Sequence, residues 1–200
     1  MELVIASHNL HKIREFRDMI KLLKVQPMDL TSLVNFPQYQ ALPEDCSTFQ
    51  ENAMRKAEHA AKTLQKWVLA DDSGLVVPTL QGKPGVNSRR YAGDDATDAE
   101  NRHKLLEQMR EMSGMQRAAY FECCLVLASP AGVKKCVIGT CEGTILTEER
   151  GRNGFGYDSL FVKNEYDKTF AEIADSIKNR ISHRSKAFEK LLPSLESLGT

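Results

Sequence analysis

A short apolar run, Glu2-Leu3-Val4-Ile5-Ala6, breaks at Ser7-His8-Asn9 and gives way to a segment in which Ile13, Phe16, Ile20 and Leu23 recur at helical spacing between charges. A β-branched run favours a strand, and a 3.6-residue apolar period favours a helix with one buried face. The unit therefore reads as strand, polar loop, helix. Ser7 and Asn9 fall at the helix N-terminus, where unpaired backbone N–H groups and the macrodipole favour an anion.

The rest of the chain repeats this alternation without internal repeats, low-complexity tracts or linkers. Residues 29–47 are rich in Pro, Gln, Asn and Asp and read as loop with at most one short strand. From Thr48, a candidate N-cap with Glu51 as its capping-box partner, Ala53, Ala57, Ala60, Ala61 and Leu64 form a small-residue stripe suited to close packing on a sheet. Trp67 to Ala70 reads as a buried strand that stops at Asp71-Asp72-Ser73-Gly74. Thr97 opens a helix expected to run to Gly114, and two β-rich runs, 118–129 and 134–146, flank a turn at Pro130. A glycine-dense stretch, 149–161, precedes a last amphipathic helix after Ile181-Ser182-His183-Arg184. Hairpins mixed with strand–helix units call for an α/β fold, a mixed sheet flanked by helices.

At 200 residues the chain suits a single domain, 1–200, or two closely joined lobes. Lys plus Arg and Asp plus Glu both number 27, so the charge balances. A chain that grips nucleic acid through its phosphates carries a basic excess, so no nucleic acid polymer is expected as a partner. A small anion in a local basic pocket stays open. The five cysteines, Cys46, Cys123, Cys124, Cys136 and Cys141, have no C-x-x-C spacing and read as reduced core residues. No stretch approaches the ~18 apolar residues of a membrane span, so the expected setting is the cytoplasm, with no membrane partner.

The chemistry concentrates in Asp71-Asp72-Ser73-Gly74. Adjacent carboxylates after an apolar strand are unfavourable unless a cation meets them, and magnesium, which takes one or two carboxylates plus phosphates and waters, suits them. The same four residues equally suit a solvated turn. Glu44 lies in a loop that can reach a metal, whereas Glu51 has a structural task as a cap. Asn52 and Lys56 share one helix face at the edge of the alanine stripe. The segment Arg152-Asn153-Gly154-Phe155-Gly156-Tyr157-Asp158 alternates glycine with aromatics, which suits close backbone approach beside a stacking ring. Lys178, His183 and Arg184 add donors near the C-terminus. No Walker A loop, G-x-G-x-x-G fingerprint or G-x-S-x-G elbow is present, which removes support for kinase, dinucleotide-binding and serine-hydrolase readings.

Together ASHNLHK, EDCSTFQENAMRKA, ADDSGL, PGVNSRRYAG, GFGYDSLF, KTFAE and KNRISHR, in this order along the whole chain, resemble the inosine/xanthosine triphosphate pyrophosphatase family. The resemblance implies an elongated two-lobed α/β structure with a central mixed sheet, an active site in the cleft between the lobes, and a homodimer. It also implies hydrolysis of ITP, dITP and XTP to monophosphate and pyrophosphate, which would cleanse the nucleotide pool. By the same resemblance Ser7, His8, Asn9 and Lys12 form the phosphate-binding turn and Lys56 contacts phosphate. Asp72 is the catalytic base and, with Glu44, holds Mg2+, while Asp71 and Ser73 support the site. Phe155, Gly156, Tyr157, Asp158, Lys178, His183 and Arg184 form the base and triphosphate pocket, with His183 and Arg184 aimed at a 6-oxo group. The implied mechanism is attack of a magnesium-bound water on the α-phosphorus, Asp72 accepting the proton. Rival readings are a septum-inhibitor type nucleotide pyrophosphatase and a nucleotide-binding module without hydrolysis. Three positions depart from the family pattern: Asp45-Cys46 after Glu44 where Thr-Gly is common, Ser159 where proline is common, and His8 where glycine is common.

Overall fold

The computed structural model describes residues 2–22 and 29–198. Among them β1 (Glu2–Ile5), β2 (Asp29–Ser32), β3 (Trp67–Val76), β4 (Ala118–Ser129), β5 (Gly132–Ile145) and β6 (Phe161–Lys163) form one six-stranded sheet. Their order is β2-β1-β3-β4-β5-β6. β1 runs parallel to β2, with Val4 opposite Thr31, and parallel to β3, with Val4 opposite Val68. β5 and β6 are antiparallel, with Thr144 opposite Val162, so the sheet is mixed as expected. The helices are α1 (Leu10–Leu22), α2 (Phe49–Leu64), α3 (Asp98–Gln108), α4 (Asp175–Ile181) and α5 (His183–Glu196). Leu23, assigned above to the apolar face of α1, lies outside the described residues. No helix among the described residues is long and apolar enough to cross a membrane.

The chain divides into two compact units. The first comprises Met1–Asp72, Cys123–Gly139 and Arg184–Thr200. Its core joins Leu3, Ile5 and Leu69 of the strands to Ile13, Phe16 and Met19 of α1 and Phe188 and Leu191 of α5. The Phe16 and Phe188 rings meet at 6.2 Å. Each such fully buried side chain contributes roughly 1.5–3 kcal/mol. On α2, Ala53, Ala57, Ala60 and Ala61 are all fully buried, as their spacing predicts. Thr48 caps this helix by accepting the Glu51 N–H, but the Glu51 carboxylate accepts from the Ser47 hydroxyl.

The second unit comprises Ser73–Glu122 and Thr140–His183. Leu75, Val77, Leu105, Met109, Phe121, Leu160, Phe161 and Phe170 belong to its core. Thr97 and Glu100 close a full capping box at the start of α3. That helix ends at Gln108, earlier than Gly114. The buried Arg117 guanidinium takes the carbonyls of Met109 and Ile145, each at 2.7 Å, and so satisfies backbone acceptors that a further helical turn would have used.

The larger correction concerns β3. The strand expected to stop at Ala70 continues through Asp71-Asp72-Ser73-Gly74 to Val76, so the two carboxylates lie within a strand and not in a solvated turn. Of the cysteines, Cys123, Cys124 and Cys141 are buried as expected, whereas Cys46 and Cys136 are partly exposed.

Candidate active site

Side chains alternate along a strand, so Asp71 and Asp72 face opposite sides of β3. Both are almost wholly buried. On one side the Asp71 Oδ2 atom meets Lys12 Nζ at 2.8 Å and Arg184 Nη2 at 3.1 Å. The second arm of the Arg184 guanidinium bonds to Glu15. Burial alone would raise the Asp71 carboxyl, but the charges of Lys12, Arg184 and Lys56 outweigh it and hold the group well below the usual carboxylate range. Asp71 is thus a fixed anion. Arg184 is 1% exposed, and Glu15 and Asp71 together keep it cationic against its burial.

On the other side Asp72 accepts a hydrogen bond from Asn52 Nδ2 at 2.9 Å. Burial and the charge of Glu44 push its carboxyl up to about 6, against the pull of Lys12 and Lys56. Glu44 behaves differently. Burial raises it too, yet the Lys56 ammonium paired with it, and Lys12 beyond, hold it below its ordinary value. Lys56 also donates to the Asp71 carbonyl at 2.8 Å. Neighbouring carboxylates with divergent proton affinities are the usual setting of acid–base chemistry. A carboxyl-carbon NMR titration of the protein without metal should show Asp72 changing protonation near pH 6 while Asp71 stays ionised through pH 4. A midpoint for Asp72 near the ordinary 3.8 would contradict this environment.

The loop that carries Glu44 is tied to the same point. Asn52 Oδ1 accepts the Cys46 N–H at 3.0 Å while its Nδ2 donates to Asp72, so one amide side chain links loop and strand. The rival carboxylate, Asp45, is paired with Arg55 instead.

In the turn before α1, the Ser7 hydroxyl accepts the Asn9 N–H at 3.0 Å. Asn9 Oδ1 in turn accepts the N–H groups of His11 at 2.9 Å and Lys12 at 3.3 Å. Asn9 is therefore the helix cap. His8 is exposed, Ser7 is half-buried, and Ser73 continues β3 as a half-buried residue.

In the second unit the Asp158 Oδ2 atom accepts from Lys178 Nζ at 2.6 Å and from the Phe155 N–H at 2.9 Å. The Lys178 ammonium sits 4.8 Å from the centre of the half-buried Phe155 ring, a cation–π distance. Tyr157 donates to the Ser88 carbonyl at 2.8 Å. Gly154, with φ +76°, admits no side chain, because a Cβ there would meet the Asp158 carboxylate at 2.1 Å. His183 stacks on Phe121 at 4.8 Å with the rings 14° apart.

Thus Lys12, Glu44, Lys56, Asp71, Asp72 and Arg184 form one electrostatic cluster in the first unit, and Phe155, Asp158 and Lys178 a second group in the other. Sequence reasoning placed Asn52 on the correct face but missed its link to Asp72. It missed Glu15 altogether, since nothing local distinguishes that residue from the other charges of α1.

A mixed α/β sheet with a buried carboxylate pair on a central strand, faced by lysines, defines a class of anion-handling proteins. The chain belongs to the Ham1 family, whose model matches residues 3–194. A relative from Protochlamydia amoebophila, described as a dITP/XTP pyrophosphatase, is 61% identical over 199 residues, covering 99% of each chain. One of the same description from Chlamydia abortus is 49% identical over 199 residues, 99% of this chain and 96% of the relative. Among solved structures, a HAM1 protein from Coxiella burnetii superposes with a TM-score of 0.87 at 40% identity, covering 98% of this chain and 99% of that one. The Staphylococcus aureus Ham1 protein gives 0.84 at 39% identity, covering 99% and 100%. The family resemblance read from ADDSGL, GFGYD and SHR is confirmed.

Proposed function

We propose that the protein hydrolyses ITP, dITP and XTP to the nucleoside monophosphate and pyrophosphate, so removing these nucleotides before they enter DNA or RNA. The observation that carries the reading is Asp72, a buried carboxylate raised to about 6 beside an ionised Glu44 and facing Lys12 and Lys56. The dITP/XTP pyrophosphatase description of a relative 61% identical to this chain supports it.

The donor set fits magnesium. Asp72 and Glu44 are near enough for the charge of one to shift the other, and no cluster of three or more His, Cys, Asp or Glu suited to a metal occurs among the described residues. Magnesium needs only one or two carboxylates, with phosphate and water completing its shell, whereas a zinc site would draw on three or four protein ligands. When bound by Asp72 and Glu44 it would lower the pKa of water and neutralise phosphate charge. Asp72 takes the proton of the attacking water, and Asn52 holds that carboxylate by one oxygen. Lys12 and Lys56 offset the charge of the triphosphate, near the N-terminus of α1 capped by Asn9. Asp71 fixes the lysines and Arg184 in place.

The base falls to the second unit, where Phe155 offers a ring for stacking. Arg184 is committed to Glu15 and Asp71, so the 6-oxo contact is assigned to His183 and the backbone amides around Gly156. Lys178 stays with Asp158 and steadies the ring. A cytoplasmic homodimer belongs to the same reading, with the subunit count open to sedimentation analysis.

The test is an assay of ITP, XTP, ATP and a pyrimidine triphosphate with separate detection of pyrophosphate and orthophosphate. ITP and XTP are expected to release pyrophosphate, with kcat/KM for ATP lower by about 100-fold, because a site built to bond one base edge leaves polar groups unpaired against another. Orthophosphate as the product, or comparable turnover of ATP, overturns the proposal. Preference for the pyrimidine favours the septum-inhibitor type of activity instead.

A further inference from the structure

We infer that Asp98, Arg102 and Glu149 are positioning residues that hold the Phe155 ring in place and thereby set the affinity for the purine base. The inference rests on the reading of Phe155 as the stacking platform. Phe155 lies between Gly154 and Gly156, both left-handed, with φ of +76° and +60°. The backbone on each side of it is held by a different element. Its own N–H is taken by Asp158, and the next N–H, that of Gly156, is taken by Asp98 Oδ2 at 2.7 Å. The Gly156 carbonyl accepts from Arg102 Nη1 at 2.9 Å. Asp98 and Arg102 stand four residues apart on α3, one above the other on a single face. One helix face therefore grips both polar groups of one glycine.

The grip is itself braced. Arg102 Nε bonds to Glu149 Oε2 at 2.8 Å, and the Ser159 hydroxyl donates to the same oxygen at 2.9 Å. Ser159 is a position where this chain departs from the family's common proline, which has no hydroxyl to give. Asp98 carries a further task, since it stands in the first turn of α3 where a carboxylate complements the helix dipole. None of these residues touches the Asp71–Asp72 cluster through any contact described above, so they serve the ring and not the hydrolytic step. Fixing both peptide planes leaves the ring only its own χ angles, and a platform already in place loses less entropy when a base stacks on it. Left-handed glycines without such a brace would sample many conformations.

The experiment compares steady-state kinetics of the full chain and of Arg102→Ala, Arg102→Lys and Glu149→Gln with ITP and ATP, alongside thermal unfolding. Arg102→Ala is expected to raise KM for ITP about 10-fold while kcat stays within about twofold, a fraction of what base–aromatic stacking contributes. The preference for ITP over ATP falls with it. Arg102→Lys, which keeps one donor for the Gly156 carbonyl, recovers part of the KM, and Glu149→Gln shows a smaller rise of the same kind. A KM unchanged in folded Arg102→Ala overturns the inference, as does a loss confined to kcat. If Arg102→Ala does not fold, the outcome passes to Arg102→Lys and Glu149→Gln, whose unchanged KM is equally decisive. Failure of the unaltered protein to hydrolyse ITP marks instead the failure of the proposed function, so the two are distinguishable.

Discussion

Replacing Asp72 by Asn should lower kcat for ITP by about 10³-fold and, at pH 8, raise the melting temperature of the protein. The first effect follows from removing a general base, which is worth roughly 10²–10⁴ in rate. The second follows from its environment. Asp72 has a folded-state pKa of about 6 against an ordinary 3.8, raised by burial and by Glu44. A carboxyl raised in this way contributes stability that is full below about 3.8 and is lost as the pH climbs through about 6. At pH 8 without metal the ionised carboxylate therefore opposes folding, by an amount on the order of 2 kcal/mol. An amide keeps an acceptor for Asn52 and carries no charge, so Asp72→Asn relieves that opposition. The two proteins should melt closer together at pH 4. Thermal unfolding at both pH values, with single-turnover kinetics, checks the pair, and near-normal kcat in Asp72→Asn would refute the assignment of the base.

Asp71→Asn should do the reverse, lowering stability by about 3–5 kcal/mol at neutral pH and the melting temperature by roughly 10 °C. Lys12 and Arg184 converge on a single Asp71 oxygen, and Arg184 is buried. Neutralising the aspartate strands these cations away from water, the costly way to break a buried ion pair. Because lysine and arginine charges hold the Asp71 pKa far down, its contribution is present above the ordinary carboxylate pKa and is lost only as pH falls through the depressed value. The gap between Asp71→Asn and the unaltered protein should therefore persist at pH 5. Circular dichroism melts at pH 5 and 7 measure it. A melting temperature within about 2 °C of the unaltered protein would show that the cluster is not cooperative in this way.

Adjacent in sequence, the two aspartates thus have opposite parts, and this was only half legible beforehand. The acidic pair after an apolar run was visible. Its place inside a continuous strand was not, because Asp, Ser and Gly are turn formers by local preference and only the lysine and arginine partners make them tolerable in β3. Periodicity placed α1, α2 and the hairpin of β4 and β5, since each buries one regular face. It overran the end of α3, where Arg117, remote from the helix end in kind if not in number, takes the last carbonyls. Lys12, Lys56 and Glu44 were found by their motifs. Glu15 and Glu149 were not, because each finds its partner through folding, Glu15 at Arg184 and Glu149 at Arg102.

The bond from Cys46 to Asn52 bears on which sequences this site can tolerate. The loop presents a main-chain amide there and no side chain, and every residue except proline has that amide. Asp45-Cys46 can therefore stand in for Thr-Gly without disturbing the approach of Glu44 to Asp72. Drift in the loop is silent at that contact, while the single codon for Asn52, read at both ends of its amide, is the one least free to vary.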